Sequence, residues 1–360
     1  MPAHSNRIRS LDALRALAVV LVLGCHVTAA PPQAGPFFFA LSNHWRRGGW
    51  VGVDLFFVLS GFLISGLLFR EHRRSGGIRF GRFFIRRGFK IYPAFYFFIF
   101  ATIVFQLRPP ATSWREIFNE LFFLQNYDWG LWGHTWSLAV EEHFYLLLAF
   151  FLFFLIRSGK TAGSFRSIPR KFFWISVFCF LLRLYAILRI QPYGYFTHFF
   201  PTHFRIDALF FGVLISYFYH YERARYDALQ KRFGRFFPFL GPALLLPAFL
   251  VPLPGNVFIS TAGLTLFYLG SGLLLMAFLE NEEAFGGNAA RLASYIGTRS
   301  YSIYIWHVYA IHLCDPVLKF SGNWQLYWLS CFVLPVAVGI VMAELIEYPV
   351  LRIRDKFFPA

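Results

Sequence analysis

Apolar residues run through this chain in about ten stretches of roughly the 17 to 25 residues that a helix needs to cross a bilayer, at 11–30, 50–69, 88–107, 137–156, 172–190, 204–221, 236–253, 257–279, 300–318 and 326–346. The bilayer core has no water to satisfy backbone N–H and C=O groups, so stretches of this length are read as helices. A 360-residue chain that is 57% hydrophobic, holds 49 Phe and is only 14% charged carries more apolar surface than one soluble core hides. The fold expected is all-α, a polytopic transmembrane helix bundle of about ten spans. A single membrane-embedded domain is expected over 1–360, with no soluble domain, low-complexity linker or inverted repeat of the kind secondary transporters carry. The seventh and eighth spans are the least regular, because Pro242, Pro247, Pro252 and Pro254 crowd them.

The net charge of +16 invites a nucleic-acid reading, but its placement excludes one. With the N-terminus in the cytoplasm, roughly 25 of the 34 Lys and Arg residues fall in cytoplasmic segments, the positive-inside bias of a membrane protein. Most lie around Arg70 to Lys90, Arg157 to Lys171 and Arg223 to Arg235, which puts both termini on the cytoplasmic side. Thr28, Ala29 and Ala30 imitate a signal-peptide cleavage site, yet about nine further spans favour an uncleaved anchor. Cys25, Cys179, Cys314 and Cys331 all fall in apolar spans without metal-ligand spacing. They read as small buried hydrophobes, and no metal site is expected.

Ionisable groups at membrane depth are costly enough that function is their default reading. Arg15 and His26 lie eleven residues apart in the first span, which returns them to within about 20° of one helix face and separates them by roughly 16 Å. His26 closes an outward span. Asp54 opens an inward one, Trp136, Ser137, Glu141 and Glu142 open another, and Arg205 and Asp207 sit at a third external end, so these groups should share one membrane level. Helical spacing selects Glu141 over Glu142, because Ser137 and Tyr145 share its face while Leu138 and Leu146 share the other. Asp54, Gly61 and Ser65 form a small-residue stripe that serves either close helix packing or the passage of a slender ligand.

The segment FFIRRGFKIYP reads as a loop leading into the third span, with Arg86, Arg87 and Lys90 where the helix begins. Helix starts favour anions and guanidinium groups grip phosphate. The eight basic residues from Arg70 to Lys90 exceed what orientation alone needs. His307, in the ninth span, reads either as a structural histidine bonded to a neighbouring helix or as a substrate contact. Trp45, Trp50, Trp129, Trp132 and Trp136 either stack on sugar rings or form an interfacial belt.

Taken in order, Arg15-x10-His26, GVDLFFVLSGFLI at 52–64, the RR-x-x-K pattern at 86–90 with Ile91 and Pro93, TWSLAVEEHFYL at 135–146, the Arg205/Asp207 segment, SYSIYIWH at 300–307 and Glu347-Tyr-Pro349 resemble the acyltransferase-3 membrane family over nearly the whole chain. The resemblance implies a bacterial inner-membrane enzyme that moves an acyl group, commonly acetyl, from cytoplasmic acyl-CoA to a hydroxyl of a carbohydrate, cell-envelope glycan or macrolide-like acceptor. It implies that Arg15 and His26 are essential and that Arg86, Arg87 and Lys90 handle the donor. Lys90 departs from the family's usual second arginine, keeping the charge and losing the fork. The soluble esterase-like domain of some relatives is not read in these residues, so the expectation is a chain acting alone or with a separate partner.

Histidine's ordinary pKa suits general base catalysis near neutrality, and His26 is assigned that role. Glu141 or Asp54 is expected to orient or charge its imidazole, and an acyl-histidine intermediate stays open as the other mechanism. Cys25 adjoins His26 but should point about 100° away. Trp136, Ser137, Arg205, Asp207 and His307 are the expected substrate contacts. No cofactor is expected to be permanently bound: acyl-CoA is the donor substrate, a glycan hydroxyl the acceptor, and the bilayer the other partner. The competing reading is a proton-coupled transporter or flippase in which Arg15, His26, Asp54, Glu141 and Asp207 form a relay. The lack of a repeat and the donor-like basic segment argue against it. If the charge pattern sets topology, a reporter fused after Lys171 scores cytoplasmic and one after Asp128 external; the reverse pattern overturns the shared level of the polar groups.

Overall fold

The computed structural model describes residues 8–107, 113–158 and 165–359, and among these every regular element is helical. The helices are α1 (Arg9–His26), α2 (Pro36–Gly48), α3 (Gly52–Ser75), α4 (Phe80–Val104), α5 (Trp114–Leu121), α6 (Trp136–Ser158), α7 (Ile168–Arg189), the single turn α8 (Tyr195–His198), α9 (Thr202–Tyr221), α10 (Arg223–Phe233), α11 (Phe237–Leu250), α12 (Leu264–Glu280), α13 (Asn288–Thr298), α14 (Ser300–His312), α15 (Asp315–Ser321), α16 (Trp324–Met342) and α17 (Tyr348–Phe357). Seven helical stretches among the described residues are long and apolar enough to cross a membrane: Pro36–Ser75, Phe80–Val104, Gly133–Arg157, Ile168–Arg189, Arg223–Leu250, Ile259–Glu280 and Trp324–Phe357. The expected basic segment at 157–171 lies partly outside the described residues.

Three boundaries differ from the expected spans. α1 stops at His26, because Val27 turns extended (φ −75°, ψ 139°), so the imidazole sits in the last turn of its helix. The segment FFIRRGFKIYP is not a loop: α4 starts at Phe80 and carries Arg82, Arg86, Arg87 and Lys90 along its first three turns, with Pro93 inside. Dense charge hides the helix from a search for apolar stretches. The free amides of the helix start lie at Phe80, so the macrodipole does not serve Arg86 or Arg87. The ninth span breaks in two, α14 ending at His312 and α15 beginning at Asp315-Pro316, where proline's missing N–H is tolerated in a first turn. Two wide turns interrupt the ladder, at Ile259–Gly263 and Ala343–Glu347. The second precedes Pro349, which has no N–H to continue the α-helical ladder.

The chain forms two compact units. Residues 1–59, 227–251 and 266–340 make the first, and residues 60–226, 252–265 and 341–360 the second. In the first unit α1 is central, packed on α13, α14, α2 and the turn before α3. Gly297 of α13 lies so close to α1 that a Cβ there would be 1.7 Å from the Asp12 carbonyl oxygen. A buried cluster of Leu23, Val27, Ile311, Cys314, Tyr327, Trp328 and Cys331 locks the far end of α1 to α14 and α16. The Trp328 indole donates to the Thr28 carbonyl at 3.0 Å, which fixes the chain just after His26.

In the second unit α9 packs on α6 and α7, and α17 with the wide turn before it packs on α4. A Cβ on Gly61 would lie 1.9 Å from the Leu209 carbonyl oxygen, and the Ser65 hydroxyl donates back to Gly61 O at 2.6 Å. The stripe of small residues is thus filled by α9 at Gly61: it packs helices and leaves no passage for a slender ligand there.

Candidate active site

The C-terminal turn of α1 presents His26 to His307 of α14. Their rings meet edge to face with centroids 4.7 Å apart, and His26 Nδ1 is 3.2 Å from His307 Nε2. His307 is fully buried, and its Nδ1 lies 2.5 Å from the Tyr304 carbonyl, which can only accept, so Nδ1 carries the proton and Nε2 is a lone pair. His26 Nδ1 lies 3.0 Å from the Val22 carbonyl, which again can only accept. The hydrogen-bond partners therefore assign the His26 proton to Nδ1, shared between Val22 O and His307 Nε2. Its Nε2 is left as the basic nitrogen, on a residue that stays exposed while the histidine behind it is buried. Cys25 does not point clear of His26, as its helical offset led one to expect: its Sγ lies 3.2 Å from Nδ1.

The other groups expected on this side fall as follows. Arg15 is half-buried and pairs with buried Asp12 of its own helix at 2.8 Å. Asp54 is buried in the first turn of α3, whose neighbouring Gly52 would, with a Cβ, meet the Ala18 carbonyl of α1 at 2.3 Å.

A second cluster, in the other unit, is centred on the phenol of buried Tyr145 on α6. The hydroxyl donates to Glu141 at 3.2 Å, one turn earlier, and takes hydrogen bonds from Arg87 and from Ser60, the latter at 3.0 Å. The Arg87 guanidinium also lies over the Tyr145 ring, 4.4 Å from its centroid. Glu142, on the adjacent face, accepts from the Tyr92 hydroxyl at 3.0 Å. Lys90 pairs with the fully buried carboxylate of Glu347. Arg86 pairs with Asp355 at 3.2 Å. Arg87 Nε is buried without a hydrogen-bond partner among the described residues.

At the start of α6 and α9, buried Arg205 stacks over Phe199 (4.6 Å) and Trp136 (5.7 Å), and Trp136 in turn stacks on Phe200 at 4.8 Å. Ser137 is buried beside it in sequence. Asp207 pairs with Arg183 of α7, 2.5 Å away, both side chains 1% exposed. The described residues hold no group of three His, Cys, Asp or Glu placed to bind a metal.

Sequence reasoning singled out His26 and His307 separately and did not pair them, since 281 residues separate them. It passed over Arg183, although an arginine inside the 172–190 span was itself the signal. It passed over Asp12 as well, at the i, i+3 spacing from Arg15 that pairs charges on a helix. Glu347 and Asp355, the acids facing the basic turns of α4, were not assigned to them.

The helical fold and its membrane-crossing lengths define a multi-pass membrane protein, with a histidine pair at the end of one of its helices. The chain belongs to the acyltransferase family whose domain model matches residues 8–344. Over 96% of its length it is 28% identical to YrhL of Bacillus subtilis (strain 168), named as a candidate peptidoglycan O-acetyltransferase, of which the match covers 55%. It is 27% identical over 95% of its length to the peptidoglycan O-acetyltransferase OatA of Listeria monocytogenes, 56% of which is covered. Over 97% of its length it is 25% identical to the O-acetyltransferase OatA of Staphylococcus aureus (strain NCTC 8325 / PS 47), 58% of which is covered. The chain thus spans about half the length of the curated relatives it matches. No solved structure matches it significantly.

Breaking a buried ion pair on one side strands a charge, at a typical cost of about 3–5 kcal/mol, whereas replacing both partners by apolar groups is often near neutral. Asp207→Ala should accordingly lower the thermal unfolding midpoint of the detergent-solubilised protein sharply, and Arg183→Leu with Asp207→Leu should recover most of the loss. A single variant no less stable than the double would show that the pair carries no such burden.

Proposed function

We propose that the protein is an O-acyltransferase of the bacterial inner membrane that moves an acetyl group from cytoplasmic acyl-CoA to a hydroxyl of a cell-envelope glycan. The observation that carries this reading is the His26–His307 pair, in which one imidazole braces another at the end of α1. The family and the O-acetyltransferase names of its relatives supply the reaction class, and two of those names specify peptidoglycan, which favours a glycan acceptor.

In this reading the acceptor hydroxyl gives its proton to His26 Nε2 as its oxygen attacks the thioester carbonyl. The carbon–sulfur bond then breaks, and the departing thiolate takes the proton back from the imidazolium. His307 holds the His26 Nδ1–H throughout, so the ring neither flips nor changes tautomer, following the base-and-orienter logic of catalytic triads. Asp54 is the acid that balances charge in the histidine's own unit, and Glu141 polarises the Tyr145 phenol that meets Arg87. Arg15 stands about 16 Å along α1 from His26 and so acts on a remote part of the donor, away from the reacting carbonyl. Arg86, Arg87 and Lys90 hold the donor's phosphates. Trp136, Ser137 and Arg205 shape the acceptor end, with the Arg205–Trp136 stack as a rigid wall, while Asp207 ties α9 to Arg183 of α7.

Removing a general base typically costs 10²- to 10⁴-fold in rate. His26→Ala should lose turnover by about that factor in purified protein supplied with acetyl-CoA and glycan, while still binding a non-reactive CoA analogue. A variant that acylates at near wild-type rate would remove the proposed base.

A further inference from the structure

Two arginines of α4, Arg82 and Arg86, meet acceptors that come from one segment. Arg86 uses two arms of its guanidinium on it, one on Asp355 Oδ1 at 3.2 Å and one on the Phe358 carbonyl oxygen. Arg82 donates to the Pro359 carbonyl, and the Phe89 and Phe358 rings meet at 5.8 Å. Arg354 holds the same Asp355 oxygen, at 2.8 Å. A carboxylate and two carbonyl oxygens therefore occupy the guanidinium donors that a phosphate would take.

We propose that residues 348–359 form an autoinhibitory strap, whose Asp355 carboxylate and Phe358 and Pro359 carbonyls compete with the donor's phosphate oxygens for Arg86 and Arg82. This rests on the donor role given to Arg86. The strap is held unevenly. Its root is fixed, because Glu347 is fully buried against Lys90 in the wide turn. Its far part is loose: the Asp355 side chain is 55% exposed and Arg86 23% exposed, and an ion pair that open to solvent shifts an equilibrium by no more than about fivefold. A phosphate, carrying more charge and three oxygens, displaces it through paired N–H contacts to the guanidinium fork. The segment can then swing from the turn at Glu347 while Lys90 stays in place. The site is thus closed to weak anions and opened by the donor itself.

The test uses the full chain in detergent and the equilibrium dissociation constant of desulfo-CoA, a donor analogue without the reactive sulfur. Asp355→Asn should tighten binding roughly two- to fivefold, Asp355→Glu should leave it as in the parent, and Arg86→Gln should weaken it and abolish the response to Asp355→Asn. If Arg86→Gln weakens binding but Asp355→Asn leaves it unchanged or weakens it too, the segment supports the arginine and the strap is overturned. If Arg86→Gln has no effect on binding, the donor role of Arg86 falls, and the strap falls with it.

Discussion

The contact between His26 Nδ1 and His307 Nε2 is the interaction around which the first unit is organised. It exists only because α14 and α13 approach α1 closely, and that approach depends on backbone meeting backbone. Gly297 admits the Asp12 carbonyl, and Gly339 admits α14 at Ile303, where a Cβ would lie 2.4 Å from that residue's Cα. The last turn of α1 is then tied down on its outer side by Trp328, whose indole bonds the Thr28 carbonyl, and by the apolar cluster around Leu23 and Val27. Those restraints hold one ring orientation. Since the histidine behind carries its own proton on Nδ1 toward Tyr304 O, the tautomer of His26 follows from two carbonyl oxygens that can only accept.

The second unit solves a different problem, holding many cations in an apolar surrounding. Each buried charge has a distinct answer. Arg183 takes a carboxylate, Asp207; Arg205 takes aromatic faces, which attract a guanidinium at little desolvation cost. Arg87 takes a phenol that is itself polarised by Glu141. Lys90, the residue that lacks a fork, meets one buried carboxylate oxygen as a point charge. The basic face of α4 thus meets partners of differing exposure, Glu347 fully buried and Asp355 open to solvent.

Much of this was legible in the sequence, for identifiable reasons. Long apolar stretches have one backbone solution in a bilayer, so the all-helical class followed from hydropathy alone, and each expected span contains a helix. The Tyr145–Glu141 hydrogen bond is what an i, i+4 spacing predicts. What escaped were boundaries and long-range pairings. The extent of α4 was masked by its own charges, and the break after His312 by a span that stays apolar past the helix end. The partner of His26 depends on which face α14 turns toward α1, which no local pattern of α14 encodes: its apolar residues run all round the helix. The ordered set of motifs that resembled the acyltransferase-3 family placed both histidines among its residues without joining them.

The account stands on His307 fixing the proton of His26, and a pair of substitutions at His307 addresses that directly. Measured in purified protein with acetyl-CoA and a glycan acceptor, His307→Ala should lower kcat by about tenfold or more with little change in KM for either substrate, because the base loses its orientation and not its binding partners. His307→Gln, whose amide oxygen can still accept from His26 Nδ1, should recover a substantial part of that loss. Equal, near wild-type kcat in both variants would contradict the account, since the histidine pair would then be packing and nothing more.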